Sequence, residues 1–585
     1  MISKHENELA PERYPPKKRR SLTRQPTIDP DAALAASNAA QAIQLEGIHF
    51  HDGTVLTRLA HEHIARFADL LSPSAATAGH RWSCHGTRTW GSLCSGSEGA
   101  HFVIKASEEA QNAKRTALGQ PLVIWKQRFA CESCDSKRKW IHRVVNEGRA
   151  ESQWICIFKD IGQMQRPEAE CVVHGRHCPV PDVDVLVVST SCKDLSKLAN
   201  LPRKFSTVLG QETSRGGSAD TFRNGLLPYL DSHKAHILFY ENSDEMAENQ
   251  SQTDNNLDIF RSEMSARNYE GQDFILNSKL FGVPSNRRRF FGVYVSTLSD
   301  LIEFKQRTVF DQFATIANLL NLCRRQWPPL ADVLLPCDSP LVQKDLEHRR
   351  AKSRQPSPPN WIVEHQRAYN KLGFRWGVPS PCAATRMSPW HETLTGAQQS
   401  ILTFQQLRLL ASSGGLAKLG GGRGDDLASS TTLGQEAIPR MMIDINPSIS
   451  RQANSTFDDL TGREIAPCIV PKQLIWLHVP GREVPRVGRE VPRVMLGAEA
   501  MLMQGWPVLQ LLEGDVPLWV SDNLLYSLAG NCVSPPVLLA LFLATVEGIF
   551  WIKPQQDHVD DENENQSSQN PVAFEAILRG LLDDT

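Results

Sequence analysis

The segment Ser191-Cys192-Lys193-Asp194-Leu195-Ser196 contains the residue of this sequence most suited to covalent chemistry, Cys192. It follows the apolar run Val183–Val188, which predicts a buried strand. Open α/β sheets bind their ligands at loops that follow the carboxyl ends of parallel strands. A cysteine at such a loop is a candidate nucleophile, although a small buried hydrophobic residue is the commoner role of a single cysteine. The interpretation of Cys192 therefore depends on its neighbours.

Three earlier features could bind a ligand at the same edge of a sheet. The small residues of Gly91–Gly99 allow backbone N–H groups to approach a ligand at a helix N-terminus. Glu132 follows the second predicted strand, where doubly wound folds bind a ribose hydroxyl. Asp160 follows the third strand, where a carboxylate can accept a hydrogen bond from an exocyclic amine such as that of adenine. Each feature taken alone is more often an ordinary turn or a solvated loop residue.

Three later segments add an acid, a basic run and a rigid turn. Glu241 ends the fifth predicted strand, and a buried glutamate beside a cleft can act as an acid. The run Arg287–Arg289 precedes another apolar strand, where arginines meet either solvent or phosphate. Gly530–Pro536 contains a Gly-Asn turn that can place backbone groups against a ligand, or is a loop before a helix.

The elements that must position these residues alternate between strand and helix from about residue 88, which predicts a doubly wound α/β sheet. Helices are predicted at 54–71, 498–512 and 537–549. The predicted strands are Trp90–Cys94, Leu122–Ala130, Trp154–Phe158, Val183–Val188, Ile237–Tyr240, Asp273–Leu276 and Phe290–Val295.

The chain divides into five predicted regions. Residues 1–85 form a polar extension with the basic cluster Pro15–Arg20 and one packing helix, and residues 86–300 form the α/β core. Residues 301–495 are irregular and rich in Pro, Gly and Ser, and include the repeat GREVPRV at 481–494. Residues 496–550 complete the core, and residues 551–585 are a polar tail.

Composition limits the class of protein. With 585 residues, 41% hydrophobic and 22% charged, the chain can bury a large core and is not wholly disordered. The net charge of −2 means that nucleic acid would be bound by local patches, such as 137–139, 287–289 and 348–354, which could equally be solvated surface. The 13 cysteines lack framework spacing, and no secretory signal or long apolar span is evident. We expect a reduced, intracellular, soluble protein without a membrane partner.

We expect no metal. Cys131 and Cys134 form a CxxC without a second pair at zinc spacing, and the group Cys171, His174, His177 and Cys178 matches no standard pattern.

Taken in order, these pieces resemble the motifs of C5-cytosine DNA methyltransferases, over residues 88–300 and 496–549. The matching segments are Leu93–Gly99, Glu132, Asp160, Ser191-Cys192 with Ser196, Glu241-Asn242-Ser243, 285–289, 499–507 and 530–533. The resemblance implies a methyltransferase core, with 301–495 as an inserted target-recognition region. It also implies S-adenosylmethionine as cofactor and DNA, with its target cytosine flipped out, as partner.

The resemblance further implies a role for each matched residue. Cys192 would attack C6 of the base, Glu241 would hold and protonate N3, and Arg287 or Arg289 would orient the base or a phosphate and favour the thiolate. The cofactor would be held by Leu93, Cys94, Ser95, Gly96, Gly99, Glu132, Asp160, Ile161, Asn531 and Val533.

Four residues depart from the family pattern. Glu98 replaces a glycine, Ser191 a proline, Ser243 a valine and Ser285 a glutamine. The alternatives are therefore a catalytically impaired relative that binds DNA or cofactor, an RNA cytosine methyltransferase, and, less compatible with the motif order, a nucleotide-binding oxidoreductase. We expect an active enzyme, located in the nucleus if the basic cluster acts as an import signal, or in the cytoplasm of a prokaryote.

Overall fold

The computed structural model describes the greater part of the chain between residues 50 and 552. The described residues are 50–71, 84–192, 194–195, 208–210, 217–247, 255–302, 308–352, 360–412, 441–446, 449, 464–471, 473–478, 492–512, 520–549 and 551–552. The predicted basic cluster at 15–20, Ser196, most of the GREVPRV repeat and the tail at 553–585 lie outside them.

A nine-stranded sheet forms the centre of the described part of the chain, in the order β5-β4-β3-β2-β1-β6-β7-β9-β8. All seven predicted strands are confirmed, and a hairpin of β4 and β5 was not predicted. The strands are β1 (Gly86–Leu93), β2 (Val123–Cys131), β3 (Cys156–Phe158), β4 (Glu168–Cys171), β5 (Arg176–Pro179), β6 (Val183–Ser189), β7 (Ala235–Ser243), β8 (Tyr269–Asn277) and β9 (Arg288–Ser296).

The sheet is mixed, and its strand order reverses beside β1. Strands β3, β2, β1, β6 and β7 run parallel, whereas β4, β5, β8 and β9 pair in antiparallel fashion. The chain first builds outward from β1 to β3 and then returns to place β6 on the other side of β1. Such a reversal opens a crevice at the strand ends, so the predicted doubly wound architecture is confirmed.

Both faces of the sheet are covered. In β6, Val185 and Val187 belong to one hydrophobic core, and Leu186 and Val188 belong to the other. Because successive side chains of a strand point to opposite faces, a continuous apolar run is what a strand buried on both sides requires.

Helices supply both layers. They are α1 (Val55–Leu70), α2 (Gly99–Ala117), α3 (Asp135–Asn146), α4 (Ser218–Thr221), α5 (Leu227–Ser232), α6 (Asn256–Ala266), α7 (Thr308–Leu322), α8 (Pro340–Ala351), α9 (Trp361–Lys371), α10 (Ala383–Met387), α11 (Gly396–Ser412), α12 (Gly497–Leu502), α13 (Leu509–Leu512), α14 (Asp522–Asn531) and α15 (Pro535–Gly548). A π-helical turn, Phe222–Leu226, joins α4 to α5.

The predicted helix at 54–71 is confirmed as α1, and that at 537–549 as α15. The predicted helix at 498–512 is wrong as one element, because the chain breaks between α12 and α13 around Gly505, whose φ is +83°. By length and composition Asp522–Gly548 could cross a membrane, but 89% of its most apolar window is buried in the fold, which is typical of core helices.

The region 301–495 is more regular than the sequence analysis predicted. Five helices, α7 to α11, and the small antiparallel sheet β10 (Met441–Asp444), β11 (Ile475–His478) and β12 (Arg493–Val494) lie in it. Its helices carry buried residues at helical spacing, such as Ile316, Leu319 and Leu320 of α7, although Pro- and Gly-rich segments separate them. Composition averaged over the region therefore concealed the local periodicity.

Candidate active site

The ends of the parallel strands bring most of the predicted site residues to one edge of the sheet. Leu93 of β1 pairs with Cys131 of β2 and with Val188 of β6, so the residues that follow these strands lie side by side. Glu132 and Asp160 follow β2 and β3, and Ser189 at the end of β6 pairs with Glu241 of β7. The strand register alone therefore aligns the predicted cofactor-binding and catalytic segments.

A tight turn links β1 to α2. The backbone N–H of Ser95 donates to the Cys131 carbonyl at 3.0 Å, and that of Gly96 donates to a Glu132 carboxylate oxygen at 2.9 Å. Cys94, Gly96 and Glu98 all have positive φ, at 54°, 57° and 63°. This left-handed conformation favours glycine, which explains why the family pattern has one at the position of Glu98.

Glu98 points into the protein interior. Its carboxylate accepts hydrogen bonds from Ser92 Oγ at 2.9 and 3.1 Å and from Gln127 Nε2 at 2.9 Å. Burial raises the pKa of Glu98 to about 7, although its hydrogen bonds with Ser92, Ser95 and Gln127 lower it. Glu98 thus supports the turn through side-chain hydrogen bonds that a glycine could not make, and it also lines the pocket at this strand edge.

A small pocket, part of it open to solvent, lies at this strand edge; we name it the strand-end pocket. Six of the ten predicted cofactor-binding residues line it: Leu93, Cys94, Ser95, Gly99, Asn531 and Val533. The turn before α15 thus meets the turn after β1, as the motif order predicts. Ser189 also lines the pocket, which connects it to the end of β6.

The other four predicted cofactor-binding residues, Gly96, Glu132, Asp160 and Ile161, do not line the pocket. Glu132 is fixed by the backbone N–H groups of Gly96 and Cys134, both at 2.9 Å, and Asp160 accepts from the N–H of Gly162 at 2.9 Å. Ile161 lies against the π-helical turn, where a Cβ on Gly225 would be 2.7 Å from its side chain. Ile161 therefore has a packing role in this structure.

Cys192 lies three residues beyond β6 and is partly exposed. Burial of its thiol raises its pKa, Arg289 and Arg287 lower it, and Glu241 raises it. The expected effect of the two arginines is present, but burial outweighs it, so the thiol form is favoured.

Glu241 and Arg289 face the same space as Cys192. The Ser189 hydroxyl donates to Glu241 Oε2, and Arg289 Nε lies 3.6 Å from Glu241 Oε1. The pairing of β7 with β9 sets Arg289 opposite Ser243, so Arg289 and Glu241 lie on one face of the sheet. Burial lowers the pKa of Arg289, but Cys468, Glu241 and Cys192 raise it above its usual value.

The sequence analysis missed Cys468, whose Sγ lies 3.6 Å from Arg289 Nη2 and 4.0 Å from Arg287 Nη1. Burial raises the pKa of this thiol, but Arg289 and Arg287 together bring it below its usual value. The segment 464–471 lies within the predicted insert, far from the core motifs along the chain, so sequence order gave no signal for it.

Arg287 differs from its prediction as a base- or phosphate-binding residue. It is 4% exposed and donates to the carbonyls of Ile469, Gly530 and Cys532, at 3.4, 3.2 and 2.7 Å. Because its guanidinium donates hydrogen bonds to backbone carbonyls of the Gly530–Pro536 turn, we interpret Arg287 as a positioning residue. Arg287 is therefore neither a solvated surface residue nor a residue placed to contact the DNA backbone.

The chain before Cys192 is fixed by side chains from β7. Thr190 Oγ1 lies 2.6 Å from the Tyr240 hydroxyl, and Asn242 Nδ2 donates to Thr190 Oγ1 at 2.9 Å. These bonds immobilise the residue next to Ser191, which stands where the family has proline. The network therefore supplies stiffness that the serine lacks.

A second departure is accommodated in a similar way. Ser285, which stands where the family has glutamine, is fully buried, and Gln504 Nε2 donates to its hydroxyl at 3.3 Å. The amide of Gln504 thus comes from a different segment of the chain. Ser243, which stands where the family has valine, donates a hydrogen bond from its hydroxyl to the Glu245 carboxylate.

Comparisons of the sequence with protein families and with known proteins found similar proteins. Residues 154–348 match the family model of C-5 cytosine-specific DNA methylases. The chain is similar to the DNA (cytosine-5-)-methyltransferase DMT5 of Cryptococcus neoformans var. grubii, at 24% identity over 477 residues, which is 78% of this chain and 17% of that protein. The chain thus spans about a sixth of that relative's length.

Solved structures give weak global matches. The Dnmt2 methyltransferase of S. pombe has a TM-score of 0.34 at 12% identity, and a DNMT2 mutant of Spodoptera frugiperda has 0.35 at 12% identity. Each alignment covers 79% of this chain and 99% of the other.

Proposed function

Because residues 154–348 carry a C-5 cytosine-specific DNA methylase domain, we propose that this chain transfers a methyl group from S-adenosylmethionine to C5 of cytosine in DNA. The observation that carries the proposal is the meeting of Cys192, Glu241 and Arg289 at the strand edge beside the strand-end pocket. A nucleophile, an acid and a fixed cation in one cleft are the groups that this reaction needs.

The residues of the strand edge suit S-adenosylmethionine. Glu132 could accept from ribose hydroxyls and Asp160 from the adenine amine, while the turn at 94–96 offers close backbone approach. A sulfonium cofactor would also benefit from the carboxylates beside the pocket. When bound, it supplies an electrophilic methyl group.

Cytosine C5 is a weak nucleophile, so Cys192 must activate the ring. The Cys192 thiol gives its proton to water, and the thiolate forms a bond to C6 while Glu241 protonates N3. As the S–C6 bond forms, the C5–C6 π pair shifts to C4–C5 and the C4–N3 π pair shifts to N3, where it takes the proton from Glu241. The C4–C5 pair then forms the bond from C5 to the methyl group, and N3 returns its proton to Glu241. Loss of the C5 proton to water reforms the C5–C6 double bond, breaks the S–C6 bond and frees Cys192 as the thiolate.

Arg289 has two functions in this scheme. Its charge lowers the pKa of Cys192 against the effect of burial, and its ion pair holds the Glu241 side chain in place. Arg287 acts indirectly by fixing the turn that closes the pocket.

DNA is the proposed partner, with the target cytosine flipped out of the duplex, because a base inside the stack cannot reach Cys192. In the basic helix segment 137–139, Lys139 is exposed and could meet a phosphate backbone, whereas Arg138 donates to the carbonyls of Glu132 and Ser133. A nuclear location remains a prediction that depends on the cluster at 15–20. No protein partner is proposed.

The test is methyl transfer from labelled S-adenosylmethionine to unmethylated DNA, hemimethylated DNA and RNA, comparing the wild type with Cys192→Ala. Cys134→Ala is the matched control, because Cys134 is an exposed cysteine outside this cleft. We expect label on DNA cytosine that Cys192→Ala abolishes and Cys134→Ala retains, with cofactor binding unchanged in both.

Three results would redirect the proposal. Label on RNA alone would make the chain an RNA cytosine methyltransferase. Normal turnover by Cys192→Ala would refute the covalent mechanism, and no label on any substrate with intact cofactor binding would indicate an inactive regulatory relative.

A further inference from the structure

Four potential metal ligands meet at the edge of the sheet where β3 joins the unpredicted hairpin. They are Cys156 in β3, Cys171 at the end of β4, His174 in the turn and Cys178 in β5. One ligand atom from each lies within 4.8 Å of every other. The imidazole is central, since His174 Nδ1 lies 3.6, 3.3 and 3.5 Å from the Sγ atoms of Cys156, Cys171 and Cys178.

These distances match the edges of a zinc tetrahedron. With Zn–S of about 2.3 Å and Zn–N of about 2.0–2.1 Å, tetrahedral geometry places each sulfur about 3.5–3.6 Å from the nitrogen. The three observed separations lie close to that value. The three nitrogen–sulfur edges therefore fit a Cys₃His site, and the sulfur atoms lie within 4.8 Å of one another.

Hydrogen bonding does not explain the same arrangement. An imidazole nitrogen carries either one proton or one lone pair, so it can bond well to only one of the three thiols. The other thiols then depend on one another and on the backbone N–H groups of Ile157 and His174, which bond to Cys171, so the imidazole does not explain why three cysteines surround it. A cation at the centre satisfies all four groups at once.

We propose that Cys156, Cys171, His174 and Cys178 bind one structural zinc ion. Three thiolates and one imidazole are a donor set that zinc prefers over magnesium or calcium, which take oxygen ligands. All four positions of the tetrahedron are filled by protein, so the ion has no open position for a substrate. This inference is independent of the proposed methyl transfer.

The sequence analysis expected no metal because the group of four residues that it considered omitted Cys156 and included His177 instead. Cys171, His174 and Cys178 follow the spacing C-x₂-H-x₃-C, but the fourth ligand, Cys156, lies fifteen positions before Cys171 on another strand. The candidate His177 is exposed and outside the cluster. The pairing of Phe158 with Cys171 brings the two parts together.

The site has a structural task. Hairpin β4–β5 is joined to β3 by a single residue pair, Phe158 with Cys171, and by the bond from Val172 N–H to the Ile157 carbonyl at 2.9 Å. A two-stranded hairpin is marginal by itself. A zinc ion bonded to both β3 and the hairpin would hold this edge, next to the segment that carries Asp160.

The test is the zinc content of the full chain, measured by inductively coupled plasma mass spectrometry after purification under reducing conditions. We expect Cys178→Ser to hold one zinc per chain less than the wild type, and His177→Asn, the matched control on the same hairpin, to lose none. His174→Cys should keep the ion, because a Cys₄ site also suits zinc.

Cobalt substitution covers the case in which Cys178→Ser fails to fold. Wild-type protein loaded with Co²⁺ should show thiolate charge-transfer and tetrahedral ligand-field absorption bands, and these bands should shift in His174→Cys and remain in His177→Asn. The proposal fails if wild type and Cys178→Ser hold the same zinc, if His174→Cys leaves the cobalt bands unchanged, or if two of the three cysteines form a disulfide in protein purified with reductant.

Discussion

The buried carboxyl group of Glu98 leads to a quantitative prediction of how the stability of the protein depends on pH. The side chain is 1% exposed, and burial raises its pKa from 4.5 to about 7. The folded protein therefore holds this proton more tightly than the unfolded chain does. Because the folded state binds more protons between these two values, stability falls as pH rises from 4.5 to 7 and the loss then levels off.

The size of the effect follows from the two pKa values. Linkage gives a destabilisation by Glu98 of about 0.8 kcal/mol at pH 5 and about 3.3 kcal/mol at pH 8, so about 2.5 kcal/mol is lost between them. Glu98→Gln cannot ionise, and its amide can still accept from Gln127 and donate to Ser92. The variant should therefore be the more stable protein at pH 8 and close to wild type at pH 5.

The assay is equilibrium urea unfolding, followed by tryptophan fluorescence at pH 5, 6, 7 and 8. The quantity of interest is the difference in free energy of unfolding between Glu98→Gln and wild type. Glu109→Gln, at an exposed glutamate of α2, the helix that follows Glu98, is the control and should give a small difference at every pH. A Glu98→Gln difference that stays constant from pH 5 to 8 would refute the reasoning.

Three further predictions concern stability and the candidate site. Glu499→Gln should lower the free energy of unfolding by about 3–5 kcal/mol in urea, because it leaves the fully buried Arg493 without its charge partner. Tyr240→Phe should lower kcat roughly fivefold at unchanged cofactor affinity, the value of one lost hydrogen bond of about 1 kcal/mol. Arg289→Gln should move the pH profile of Cys192 alkylation by iodoacetamide to higher pH, since that arginine lowers the thiol pKa.

The parallel core could be predicted because its signals are local. Runs such as Val183–Val188 are apolar except for Asp184, as expected of strands buried on both faces, and all seven predicted strands lie within a few residues of their observed ends. The hairpin β4–β5 was missed because its strands are four residues each and alternate weakly, with partners fixed by the fold. The helices of 301–412 were hidden by the composition of the segments between them.

The candidate site shows where sequence reasoning ends. Motif order predicted several residues of the strand edge, because Glu132, Asp160 and Cys192 each follow a parallel strand. It could not predict that Arg287 would bind backbone carbonyls or that Cys468 would lie beside Arg289, since both contacts join segments about 180 positions apart. Long-range contacts of this kind depend on packing, and no spacing along the chain encodes them.

The departures from the family pattern have a common physical logic. At Ser191 the stiffness of a proline is replaced by the Thr190, Tyr240 and Asn242 network, and at Ser285 an amide arrives from Gln504. At Glu98 the left-handed backbone is kept at a cost in strain, which hydrogen bonds with Ser92 and Gln127 offset. At these three positions another residue supplies what the replaced side chain would have supplied, which supports the proposed active enzyme over an impaired relative. The compensation at Ser285 is partial, because Gln504 Oε1 is buried without a hydrogen-bond partner.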